Sequence, residues 1–188
     1  MTRLGLNLPN LITLARLMSV PLMIWLILSD RFGAAFWVFV AAGVSDGLDG
    51  YIAKRFDCRT RLGALLDPAA DKALLSSVYV ALGSGGILPD WLVILVVFRD
   101  VTIIGGFVLM QTIAAPRNFD PLYISKVNTL VQIALVAYVL AGLGLGFTDG
   151  NGDLTQALVM LVALTTVLSG MSYLVRWARI LAGAEQPS

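Results

Sequence analysis

The residues of this chain best suited to chemistry lie in the stretch VSDGLDGYIAKRFDCRTRLGALLDPAADK, residues 44–72. Within it Asp46, Asp49, Asp67 and Asp71 stand at fixed spacing between segments apolar enough for a bilayer. Four carboxylates held together without counter-charge would repel one another and take up protons. Basic residues offset part of that charge, but a divalent cation does so better, and hard oxygen ligands select one. Two such ions about 4 Å apart, bridged by carboxylates, are a common arrangement for phosphoryl transfer. The chain has no histidine, which excludes histidine-based catalysis, haem ligation by histidine and most zinc sites. Its one cysteine, Cys58, can form neither an internal disulfide nor a cysteine cluster. A metal here would be held by oxygen.

The elements that must position these carboxylates follow from composition. Of 188 residues, 58% are hydrophobic and 13% charged, where a soluble domain carries about 25% charged residues. The mean hydropathy is +0.85. Apolar runs cover roughly 11–28, 33–54, 62–83, 88–114, 124–147 and 154–181, each close to the roughly 20 residues that span a bilayer. The expected class is all-α integral membrane, with six transmembrane helices and a short interfacial lead-in over residues 1–10. No cleavable signal is expected, because the N-terminus runs directly into the first apolar segment. A break is expected at Pro68, where proline frees a backbone carbonyl. The chain shows no internal repeat or linker and is expected to form one domain over 1–188.

Alternate ends of the spans carry Arg3 and Arg16, then Lys54, Arg55, Arg59 and Arg61, then Arg117 and Lys126, then Arg176 and Arg179; the opposite ends carry only Arg31. The positive-inside rule then puts both termini and the 55–61 loop in the cytoplasm. Trp25, Trp37, Trp91 and Trp177 are expected as interface anchors. A net charge of +1 implies no nucleic-acid partner.

On this scheme Asp46 and Asp49 lie near the inner end of span 2, and Asp67 and Asp71 near the inner start of span 3. A short basic loop makes these helices antiparallel neighbours, so the carboxylates meet at one depth. Residues three or four apart share a helix face, which aligns Asp46 with Asp49, Gly50 and Ala53, and Gly63 with Asp67 and Asp71. Small residues beside carboxylates leave room for a ligand. A single intramembrane aspartate is as well explained by helix pairing; four on two adjoining helices are not. The main non-enzyme alternative is a cation-coupled transporter, which would spread its acids near mid-membrane in repeated halves.

Read from Asp46, the spacing is D-x2-D-G-x2-A-K-x8-G-x3-D-x3-D. It resembles the signature of the CDP-alcohol phosphotransferase family, which has arginine where this chain has Lys54. Asp46, Asp49, Gly50, Ala53, Gly63, Asp67 and Asp71 match. The resemblance implies a six-helix enzyme working at the cytosolic membrane surface with two Mg²⁺ or Mn²⁺ ions. It implies metal binding by Asp46, Asp49, Asp67 and Asp71, with Asp71 also the general base. It further implies nucleotide and diphosphate contacts at Gly50, Ala53, Lys54 and Gly63. The implied donor is CDP-diacylglycerol, the implied setting a bacterial inner membrane, and a homodimer follows by analogy alone.

The acceptor must be read elsewhere. NLPNLITLARL, 7–17, and LDPAADK, 66–72, look like the branches whose acceptors are glycerol 3-phosphate or phosphatidylglycerol. FRDVTIIGGF, 98–107, keeps Arg99, but Asp100 and Phe107 stand where the glycerol 3-phosphate branch typically has glutamate and a second arginine. YISKVNTLVQ, 123–132, is similar to the phosphatidylglycerol branch, and Asn128 stands where the other branch has a second lysine. A phosphomonoester dianion wants several strong donors, so loss of two cations favours phosphatidylglycerol, with glycerol 3-phosphate as the alternative. Arg99, Arg117, Lys126 and Asn128 are the candidates for holding the acceptor's phosphate. For Arg117 the plainer explanation is a positive-inside loop residue; for Arg99 it is pairing with Asp100 or with an aspartate of the core.

Overall fold

The computed structural model describes residues 8–56, 61–113, 122–147, 150 and 152–181; for residues 8–14, 16, 46–56, 61–71, 107–113, 180 and 181 it describes the backbone alone. The described residues form six α-helices and no strand: α1 Leu8–Leu28, α2 Phe32–Phe56, α3 Arg61–Ser84, α4 Asp90–Ile113, α5 Tyr123–Leu145 and α6 Asp153–Leu181. They follow the six apolar runs closely. Helix α1 takes in residues 8–10 of the expected lead-in; residues 1–7 lie outside the described residues. The break expected at Pro68 does not occur, and α3 stays helical from Arg61 to Ser84. Proline removes one backbone donor, which an otherwise continuous apolar helix tolerates. Helix α1 likewise runs through Pro21.

The chain divides into two compact units, residues 1–88 with 136–150, and residues 89–135 with 151–188. In the first unit α1 packs on α2 and α3, burying Met23, Leu26, Ile27, Phe39, Val78, Tyr79 and Leu82, together with Val136, Val139 and Leu140 of α5. Helices α1 and α3 are closed by left-handed residues. Beyond α1, Asp30 has φ 56°, with Arg31 N–H donating to Leu26 O at 2.9 Å and Asp30 N–H to Ile27 O at 3.0 Å. That pair of bonds is a Schellman closure, with aspartate where glycine usually stands. Gly86, at φ 70°, closes α3 in the same way, with Ile87 N–H to Leu82 O at 3.0 Å.

In the second unit α4 packs on α6. Leu92, Val96, Leu135, Val159 and Val162 are buried there, and so are Arg99, Asp100, Asn128, Gln132, Thr166 and Ser169. The outer surface of α6 is the reverse, with Leu161, Leu164, Leu168, Met171 and Val175 exposed. Polar groups inside and leucines outside make a helix surface suited to hydrocarbon rather than water. Tyr123–Leu145 and Asp153–Arg179 are long and apolar enough to cross a membrane. Trp25, Trp37 and Trp91 are exposed, as anchors would be. Trp177 is half-buried and packs against Gly106 of α4.

Candidate active site

Asp46, Asp49, Gly50, Ala53 and Lys54 stand on the C-terminal part of α2, and Gly63, Asp67 and Asp71 on the N-terminal part of α3. Both segments are helical, so the spacings of three and four residues do place Asp46 with Asp49, and Asp67 with Asp71, on common helix faces. The expected meeting of the four carboxylates concerns side chains outside the described residues. Four carboxylates, with no nitrogen or sulfur ligand in the set, suit hard divalent cations. Arg117 also lies outside the described residues, as does the side chain of Phe107.

The acceptor candidates on α4 and α5 are described in full. Arg99, 3% exposed, donates through Nη1 to Asp100 Oδ1 at 2.5 Å. Its Nη2 donates to Ser125 Oγ at 2.5 Å and to Ser169 Oγ at 2.6 Å, and its Nε to Ser169 Oγ at 3.3 Å. One guanidinium therefore ties α4, α5 and α6 together. Pairing with Asp100 removes the net charge that burial would penalise. Arg99 thus serves three neighbours within the unit, and the pairing with Asp100 is the plainer explanation that the sequence offers for it.

Asn128, on the same face of α5 as Ser125 and Gln132, has no exposed surface. Its Oδ1 accepts from Thr165 Oγ1 at 2.8 Å and from Thr166 Oγ1 at 2.9 Å. Its Nδ2 has no hydrogen-bond partner among the described residues. Such a buried donor without a partner among the described residues is rare, and calls for a partner beyond them or a stated cost. Lys126 is exposed on the first turns of α5. Leu122 N–H, just before that helix, donates to the Tyr173 hydroxyl oxygen at 3.4 Å.

Sequence reasoning singled out Arg99, Lys126 and Asn128 but missed Ser125, Thr165, Thr166, Ser169 and Tyr173. Isolated hydroxyls in an apolar span look like tolerated substitutions. The available signal was their spacing: Thr165 or Thr166, Ser169 and Tyr173 share one face of α6, as Ser125, Asn128 and Gln132 share one face of α5.

The chain belongs to the CDP-alcohol phosphatidyltransferase family, whose model matches residues 6–177. Within it, the chain is 34% identical over 192 residues to CDP-diacylglycerol–glycerol-3-phosphate 3-phosphatidyltransferase 1, chloroplastic, of Oryza sativa subsp. japonica, a match covering 93% of this chain and 58% of that one. It is 37% identical over 183 residues to cardiolipin synthase (CMP-forming) of Homo sapiens, covering 89% and 60%. It is 37% identical over 153 residues to cardiolipin synthase (CMP-forming) of Streptomyces coelicolor, covering 78% and 68%. The chain spans about three fifths of the length of the rice and human relatives.

Proposed function

We propose that this chain is a CMP-forming cardiolipin synthase, transferring the phosphatidyl group of CDP-diacylglycerol to a hydroxyl of phosphatidylglycerol. The acceptor oxygen forms a bond to the phosphorus that bears the diacylglycerol, and the bond from that phosphorus to the CMP oxygen breaks. The acceptor proton passes to the carboxylate of Asp71. Asp46, Asp49, Asp67 and Asp71 would hold two Mg²⁺ or Mn²⁺ ions. When bound, the ions supply neutralisation of the diphosphate and of the charge that grows on departing CMP. Gly50, Ala53 and Gly63 admit the cytidine to the backbone, and Lys54 meets the diphosphate as a point charge without arginine's fork. In this reading all six helices span the membrane, both termini are cytoplasmic, the four aspartates face the cytoplasm, and two copies pair.

The observation that carries the choice of acceptor is Asn128. Its amide is neutral, buried and has an N–H donor with no partner among the described residues, at a position where the glycerol 3-phosphate branch has a cation. A neutral donor suits the singly charged phosphodiester of phosphatidylglycerol. Lys126, exposed on the same helix, supplies the one charge that group needs, with Arg117 as a further candidate. The second reading is a phosphatidylglycerophosphate synthase with glycerol 3-phosphate as acceptor, and the similarity to the rice enzyme favours it. Purified protein in vesicles with Mg²⁺ and CDP-diacylglycerol decides between them. CMP release should require phosphatidylglycerol; equal release with glycerol 3-phosphate overturns the first reading in favour of the second.

A further inference from the structure

Two of the acceptor candidates, Lys126 and Asn128, sit on the first turns of α5, and something must hold those turns in place. Three contacts reach them from α6: Tyr173 to Leu122 N–H, Thr165 and Thr166 to Asn128, and Ser169 to Ser125 by way of Arg99. The last is the most constrained. Ser169 Oγ accepts from both Nε and Nη2 of Arg99, at 3.3 and 2.6 Å. Two bonds to one edge of a planar guanidinium fix its plane. With the Asp100 contact fixing Nη1, the remaining Nη2 hydrogen can point only at Ser125. Ser169 has no exposed surface, so water cannot replace its hydroxyl. Gly170 lies beside the stem of this arginine, where an added Cβ would meet Arg99 Cγ at 3.8 Å.

We propose that Ser169 is a positioning residue for the acceptor: acting through Arg99 on Ser125, it sets where Lys126 and Asn128 stand. The proposal rests on the acceptor reading given above. Without the Ser169 hydroxyl, the guanidinium pivots about its Asp100 contact and the first turn of α5 loses its link to α6. Lys126, the next residue after Ser125, then moves relative to the acceptor phosphate. Ser169 itself touches no substrate.

The test is steady-state kinetics on the full chain in vesicles, with acceptor and CDP-diacylglycerol varied separately. Ser169→Ala should raise the KM for phosphatidylglycerol about tenfold, the effect of one charge-assisted hydrogen bond. The KM for CDP-diacylglycerol and the saturated kcat should stay within twofold. Ser125→Ala should do the same, and Ser169→Ala/Ser125→Ala should be no worse than either alone, because both act through one guanidinium. Ser125→Thr, which keeps the hydroxyl, should restore the parent KM. A purely structural role would lower the melting temperature or the active fraction and leave both KM values unmoved, and that result overturns the proposal. So does a double variant whose effect is the product of the single ones. If Ser169→Ala does not fold, Ser125→Ala, at a half-buried position, carries the same readout. Lys126→Ala and Asn128→Leu separate the two ideas. If neither moves the acceptor KM, the acceptor reading fails; if they move it and Ser169→Ala does not, the positioning role alone fails.

Discussion

Gly144 lies so close to Gly33 that a Cβ added to it would stand 2.5 Å from both the Cα and the nitrogen of Gly33. The two residues belong to α5 and α2, and their backbones touch with no side chain between them. A Cβ on Gly33 would meet Gly144 O at 3.3 Å, a tighter contact than usual but not an overlap. Gly144→Ala should therefore destabilise by about 1–3 kcal/mol, the range for overpacking. Gly33→Ala should be milder. Thermal unfolding of both variants in one detergent checks the order.

The second unit contains a close approach of another kind. A Cβ on Gly106 would overlap the far edge of the Trp177 indole, and Tyr173 stacks at a tilt on that ring with centroids 5.9 Å apart. A ring edge can swing where a backbone cannot. Gly106→Ala should accordingly lower the melting temperature less than Gly144→Ala, while changing the tryptophan emission as the indole turns. An unchanged spectrum with a large loss of stability would show that the ring is locked.

These contacts mark what could and could not be read in the sequence. Helix positions were legible because each apolar run has the length of a long helix, and the run over 33–54 is the helix Phe32–Phe56. The aspartate spacing was legible because three- and four-residue intervals map directly onto a helix face. The helix at Pro68 was misread, since one lost backbone bond does not end a helix whose neighbouring turns are intact. The partners of Arg99 were only partly legible. Asp100 is adjacent in the chain and was foreseen as its plainer partner, but Ser169 is 70 residues away. A serine in an apolar helix shows its purpose only when a cation faces it. The contact of Trp177 with Gly106 was not legible, because nothing local distinguishes a tryptophan at a membrane edge from one that covers a glycine.

The Arg99–Asp100 pair makes a stability prediction. Both residues are 3% exposed, and Asp100 is the carboxylate on the Arg99 guanidinium, so Asp100→Asn leaves that guanidinium buried without this counter-charge. Asp100→Asn should cost about 3–5 kcal/mol. Replacing the two together, as Arg99→Met/Asp100→Leu, should cost less than the sum, because the guanidinium and its counter-charge leave together. Chemical unfolding of Arg99→Met, Asp100→Leu and the double variant gives the comparison. A double variant as unstable as the sum of the singles would mean that the arginine's serine bonds, not its charge balance, dominate.

Asp71→Asn tests the base. The substitution keeps size and removes the proton-accepting carboxylate, so kcat should fall by about 10²–10⁴-fold, the usual contribution of a general base, with the melting temperature little changed. Chelation of divalent cations should abolish CMP release from the parent protein, and Mg²⁺ or Mn²⁺ should restore it. Retained turnover in Asp71→Asn removes that residue from the role.

The orphan amide of Asn128 allows function and stability to be separated. In Asn128→Leu, Thr165 keeps backbone acceptors at Leu161 O, 2.9 Å, and Val162 O, 3.1 Å. Thr166 has Asn128 as its hydrogen-bond acceptor, so its hydroxyl is left buried and unsatisfied. The variant should therefore lose about 1–3 kcal/mol of stability, and the KM for phosphatidylglycerol should rise about tenfold if Nδ2 donates to the acceptor phosphate. Adding Thr166→Val removes the orphan hydroxyl at nearly constant volume. The double variant should recover most of the stability and none of the KM, because the donor is still missing. Recovery of both together would make Asn128 a packing residue, and would shift the choice of acceptor onto Lys126 and its neighbours.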